Sequence, residues 1–125
     1  DILANETSII HINFHADEEY SYADHKRQNY GIFVDGADDL TFLAAVDEYL
    51  EQNWDYEFLI VIFGHDGHGQ DYGDFYLSTR GYQEFAKKIK AFATGKPILF
   101  VLSGGSNPQV AAEVIPAVIK VFVND

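Results

Sequence analysis

Cysteine is missing from all 125 residues. Its absence excludes a disulfide framework, a thiolate metal site and a cysteine nucleophile, and leaves the redox compartment open. Methionine is missing too, and the chain opens on Asp1; we read it as a processed product or a piece of something longer. Long apolar runs are also wanting. The longest cover about seven residues, against about 20 for a membrane-crossing helix, and no secretory leader pattern opens the chain. Positive charge is scarce: eight Lys and Arg face twenty Asp and Glu, for a net charge of −12. Such a surface repels phosphate, so neither a nucleic-acid partner nor an anionic membrane is expected. A soluble protein, cytoplasmic in location, is the expectation.

What the chain does have is apolar material, 47% of residues, with 15% aromatic. That is enough to fill a core, and it excludes disorder. The length fits one domain over residues 1–125. At 14.1 kDa a compact fold should expose about 6,700 Å², against about 20,000 Å² for the unfolded chain.

Periodicity places the elements. Ser8 to His15 alternates, with Ile10, Ile12 and Phe14 on one face and His11, Asn13 and His15 on the other, which predicts a strand. The polar stretch 16–29 reads as a loop, and Gly31–Asp35 as a short strand at an edge. Asp38 or Asp39 should cap a helix to about Gln52, with Leu43, Val46 and Leu50 at helical spacing. Phe58–Phe63 is apolar on both faces, as suits a parallel strand covered by helices on each side. Ser78 or Thr79 should cap a second helix, which faces inward with Tyr82, Phe85 and Ile89. Pro97–Leu102 reads as another buried strand. Asn107 as cap and Pro108 as first residue open a last helix, striped by Val110, Val114 and Val118; Pro116 inside it predicts a kink. The order predicts an α/β domain, a three-layer αβα arrangement around a mainly parallel sheet of about four strands.

The loop after the third of these strands gathers His65, Asp66, His68 and Asp71 among three glycines. In open α/β sheets, ligands bind at the carboxyl ends of strands. Asp66 and His68 offer the oxygen and nitrogen donors that zinc accepts. The same residues equally suit a tight loop in which Asp66 accepts backbone hydrogen bonds and the histidines are solvated. Gly67, Gly69 and Gly73 are spaced one residue too widely for a dinucleotide loop, and no helix pattern begins there. His11 and His15 lie about 13 Å apart along a strand and cannot share one ion. His15 alone could join Asp66 if their strands are neighbours. Asp17, Glu18, Glu19 and Asp24 read as a solvated acidic run, without the residue order of a calcium loop. Ser103–Asn107 links a strand to a helix amino end, a turn that can offer N–H groups to an anion or simply turn tightly. No Gly-x-Ser-x-Gly elbow surrounds Ser103 or Ser106.

Three segments together resemble the C-terminal part of the histone deacetylase family, within the arginase/deacetylase fold. Gly64-His65-Asp66-Gly67-His68 is similar to the family's Gly-Phe-Asp-Ala-His, and Leu77–Tyr82 to its Leu-Thr-x-x-Gly-Tyr. Leu102–Asn107 resembles its Leu-Glu-Gly-Gly-Tyr-Asn, and Ile12–His15 a strand ending Ser-Phe-His. The likeness runs in matching order along nearly the whole chain.

The resemblance implies that Asp66 occupies one of three zinc-ligand positions. The other two ligands and the His-His general base belong to family segments that lie earlier than anything here. Ser106 stands where the family has the tyrosine that polarises the substrate carbonyl, and His65 replaces a phenylalanine. The loop after Val34 is shorter and lacks the usual Pro-Leu. One ligand of three predicts at most weak divalent metal binding at Asp66, and otherwise no cofactor. In the family, the strand bearing the missing ligands lies between the counterparts of this chain's first and third predicted strands. Direct pairing of those two would give the order 2-1-3-4, with a crevice between His15 and Asp66. The leading expectation is a non-catalytic, deacetylase-like interaction domain. The alternatives are a fragment of a zinc-dependent amidohydrolase, completed by an N-terminal region or a partner chain, and a small metal enzyme built on His15, Asp66 and His68. Loss of the covering half of a family sheet also predicts a homodimer or higher oligomer; a small-molecule ligand, if there is one, is not specified by these residues.

Overall fold

The computed structural model describes residues 5–124. The alternating stretch forms β1 (His11–His15). Inside the acidic stretch lies a strand that its polarity conceals, β2 (Tyr22–Asp24), followed by β3 (Asn29–Phe33). Asp24 accepts the Arg27 N–H at 3.0 Å and Gln28 takes a positive φ of 52°, which reverses the chain between them. β3 pairs parallel with β1 and antiparallel with β2. It is therefore the centre of a three-stranded sheet, and the expectation of an edge strand is corrected.

The helices start at their expected caps. α1 (Asp39–Leu50) opens on Asp38, whose side chain accepts the Thr41 N–H while the Thr41 hydroxyl oxygen accepts the Asp38 N–H. α2 (Thr79–Phe92) opens on Ser78, which accepts the Gly81 N–H. α3 (Pro108–Val123) opens on Asn107 and runs continuously past Pro116. Between them β4 (Leu59–Phe63) and β5 (Ile98–Leu102) pair in parallel.

All three helices share one core. Val46 of α1, Ala86 of α2 and Val114 of α3 are buried together, with Phe14, Phe63 and Phe100 of the strands packed against them. The α/β class therefore holds, with all three helices packed on the strands through that core. An apolar run on both strand faces reads the same whether the second face is covered or bare. Here Ile60, Ile62, Leu99 and Val101 are exposed.

The sheet order is also corrected at one join. The pairs expected as 2-1 and 3-4 form, as β3 with β1 and β5 with β4. Among the described residues β1 and β4 do not pair, and the strands divide into two sheets over a common core. His11 and His15 bond toward β3, which leaves the backbone of Ile12 and Phe14 on the free edge of β1. Leu59 and Phe63 bond toward β5, which leaves Ile60 and Ile62 on the free edge of β4.

Candidate functional site

The loop leaving β4 turns at once into a 3-10 turn, His65–Gly67. Gly64 is obligatory there, because a Cβ would run into the Ser103 carbonyl and the Asp66 carboxylate. The loop is tied back on itself by Gly73 N–H to Asp66 O at 2.8 Å and Leu77 N–H to Gly67 O at 2.9 Å. From α2, the Tyr82 hydroxyl donates to Gly64 O at 2.7 Å. Burial, then the nearby Asp66 charge, pushes that phenol well above its ordinary value, so it stays a neutral donor.

The two aspartates of this loop have opposite situations. Asp71 organises it. Its side chain is shielded from solvent and accepts Tyr72 N–H at 2.7 Å, Asn107 N–H at 2.8 Å, and both the N–H and hydroxyl of Ser106. The Asn107 N–H bond, followed by the other donors, holds this carboxyl far below the usual carboxylate range. Asp71 thus seats a negative charge at the amino end of α3, where the helix dipole favours it. The anion-presenting turn read in Ser103–Asn107 takes the chain's own carboxylate. Asp66, by contrast, has no hydrogen bond to its carboxylate among the described residues. Its oxygens lie against Gly104, where a Cβ would approach them to 2.9 Å.

The histidines divide as well. His68 is buried, and its Nδ1 accepts the Gln70 N–H at 3.1 Å. The neutral ring then carries its proton on Nε2, which faces Thr79 Oγ1 at 3.4 Å. Thr79 donates onward to Glu113 at 3.3 Å, so His68 fastens the loop to α2 and α3. His65 Nε2 stands 3.7 Å from Asp71, its ring filling the space a Cβ on Gly105 would need. Serine, aspartate and histidine are therefore near one another, but the carboxylate lies between Ser106 and His65. The Ser106 hydroxyl donates to the carboxylate and not to a histidine, so the pairing of a serine nucleophile with a histidine base is not formed among the described residues. His15, at the end of β1, has both ring nitrogens shielded from solvent and, among the described residues, without hydrogen-bond partners; its ring meets Tyr20 edge-on.

Asp39 is a structural link that sequence reading overlooked. It accepts the Ser78 N–H at 2.8 Å and the Ser78 hydroxyl, joining the amino ends of α1 and α2. The signal was the Asp38-Asp39 pair, in which one residue caps α1 and the other is left for a different partner.

The sequence model of the histone deacetylase domain matches residues 1–122. The chain belongs to the histone deacetylase family. Its fold is similar to the crystal structure of the HDA15 HD domain, with a TM-score of 0.77 at 21% identity over 98% of this chain. It is similar also to the histone deacetylase Clr3, with a TM-score of 0.74 at 18% identity over 97% of this chain. The chain spans 40% and 24% of those two chains, respectively. No curated protein sequence matches it significantly.

Deacetylases of this family are zinc-dependent, and a catalytic zinc takes three protein ligands. Among the described residues no group of three His, Asp or Glu side chains can hold an ion. His15, Asp66 and His68 are not brought together as one, and His68 already uses both ring nitrogens. The donors present do not fit a family zinc site. No described helix is long and apolar enough to cross a membrane.

Proposed function

We propose that residues 1–125 act as one non-catalytic, deacetylase-like interaction domain. The observation that carries this reading is the use of the site's own polar groups. Asp71 and His68 are engaged in holding the loop, and the Ser106 hydroxyl is bound to Asp71. Among Asp66, His68, Asp71 and Ser106 only the Asp66 carboxylate is left for chemistry, and with no set of three donors gathered around it among the described residues it supports at most weak binding of a divalent ion. With zinc supplied, turnover of an acetyl-lysine peptide is expected at background. A zinc-dependent rate abolished by Asp66→Ala would overturn the proposal.

The divided sheet favours a second reading, in which the chain is part of a larger deacetylase. The free edges of β1 and β4, with Asp66 and His15 at their carboxyl ends, would accept a strand from an N-terminal region or a partner chain. Such a strand could add the two missing ligands and a hydrogen-bond partner for His15. An upstream coding segment containing Asp-x-His-His-Gly, whose product restores turnover when joined to this chain, would decide for that reading.

A further inference from the structure

We infer that Asp35, in the turn between β3 and α1, is a site of spontaneous isoaspartate formation. The reaction favours an Asp-Gly step, because a residue without a Cβ lets the carboxyl approach the next main-chain nitrogen. The chain has two such steps, Asp35-Gly36 and Asp66-Gly67. Asp35 and Gly36 are both exposed, and Gly36 takes a positive φ of 87°, which favours glycine. Neither the Asp35 carboxyl nor the Gly36 N–H makes a hydrogen bond among the described residues, so nothing holds either reacting group away. The second step is closed. Asp66 and Gly67 are half-buried in a 3-10 turn, with Asp66 O accepting the Gly73 N–H at 2.8 Å and Gly67 O the Leu77 N–H at 2.9 Å. Closing a ring there would first require that loop to open.

In this reaction the Gly36 nitrogen attacks Cγ of the Asp35 carboxyl. The new C–N bond closes a five-membered succinimide, and the carboxyl hydroxyl leaves with the amide hydrogen as one water. Water then reopens the ring at either carbonyl. Opening at Cγ returns aspartate, whereas opening at the Asp35 main-chain carbonyl leaves Gly36 joined through Cγ, as isoaspartate with a free α-carboxylate. No atom is gained or lost overall, but the main chain now runs through Cβ and Cγ of residue 35 and is one atom longer. The ends of the turn are fixed against that atom. Val34 is buried and its N–H donates to His15 O at 2.9 Å, while Ala37, buried at a positive φ of 51°, accepts the Tyr76 N–H at 2.8 Å. Asp38 follows at once as the cap of α1. Isoaspartate at position 35 therefore loosens the cap of α1 and the Ala37–Tyr76 tie to the loop before α2, a slow one-way ageing of the fold.

The test is to keep the folded 125-residue chain near neutral pH at physiological temperature for several weeks. Isoaspartate is then read by methyl transfer from S-adenosylmethionine with an isoaspartate-specific methyltransferase, and located by peptide mapping. The label should collect in the peptide that contains Asp35, and at least about tenfold more slowly in the one that contains Asp66, which reacts only from an opened loop. In urea, where neither step is held, the two rates should converge. Asp35→Glu should give no label at that position, because its longer side chain would have to close a six-membered ring. Its melting temperature should match fresh wild type, since the position is exposed and unbonded. Aged wild type should melt below fresh wild type, and aged Asp35→Glu should not. No label at Asp35 in the folded chain, or equal labelling of both sites while folded, would refute the inference. A preference for Asp35 that persists in urea would refute it too, by assigning the preference to neighbouring residues and not to the turn. Should Asp35→Glu fail to fold, the folded and unfolded rates of wild type decide alone. Turnover of an acetyl-lysine peptide bears on the reading proposed above and not on this site.

Discussion

Asp66 and Asp71 sit five positions apart in one loop, yet only one of them holds it. Asp71 accepts three backbone N–H groups and a hydroxyl. An amide in its place offers one oxygen and turns an NH₂ toward those donors, so Asp71→Asn should lower the melting temperature by on the order of 10 °C near neutral pH. The pH dependence follows from the depressed pKa. A carboxyl held lower in the folded than in the unfolded chain contributes stability that is present above the unfolded value, near 4. That contribution is lost as pH falls through the lower folded value. Urea titrations should therefore show a constant gap between wild type and Asp71→Asn from pH 7 to about 5, narrowing below about 4. Asp66→Asn, which removes a carboxylate with no hydrogen bonds, is the control and should stay within about 0.5 kcal/mol of wild type. Equal losses from both would mean that Asp71 does not organise the loop. That both aspartates and both histidines share one loop was legible in the sequence. It could not rank them, because rank depends on which carboxylate meets the amino end of α3, 35 residues further on.

At the scale of elements, what could be read were the signals local to a few residues. Asp38, Ser78 and Asn107 cap the three helices because their short side chains reach N–H groups two or three residues ahead. The strands β4 and β5 were plain from their apolar runs. Two features were hidden. β2 is written in Tyr22, Ala23 and Asp24, with no apolar alternation, and exists because β3 offers it a partner. The exposure of Ile60, Ile62, Leu99 and Val101 on β4 and β5 is the other, since a strand apolar on both faces reads the same whether the second face is covered or bare. The capping residues also differ in consequence. Ser78 caps α2 and at the same time donates to Asp39 of α1, so Ser78→Ala removes two attachments where an ordinary cap removes one. A loss of about 2 kcal/mol in urea unfolding is expected, at the upper end for a cap. A loss below about 0.5 kcal/mol would show that the link between α1 and α2 contributes little.

For the whole molecule, the open β4–β5 face and the charge of −12 act against each other, and salt separates them. Twenty acids against eight bases repel within one copy and between copies. The Debye length falls from about 30 Å at 0.01 M salt to about 3 Å at 1 M, so added salt removes the repulsion while leaving burial of Ile60, Ile62, Leu99 and Val101 intact. If the oligomer expected from the sequence forms through that face, it should therefore tighten as sodium chloride rises. A complex held by the acidic surface and a basic partner would loosen over the same range, which makes the sign of the effect diagnostic. Monomer stability should rise as well, since self-repulsion in the folded chain is screened. Sedimentation at low and high salt, with Ile62→Glu alongside, distinguishes the contributions: wild type should shift toward dimer, and the variant should remain monomeric while melting higher. Dissociation of a wild-type dimer on adding salt would mean that ion pairs hold it, and would move the interface away from the uncharged strands.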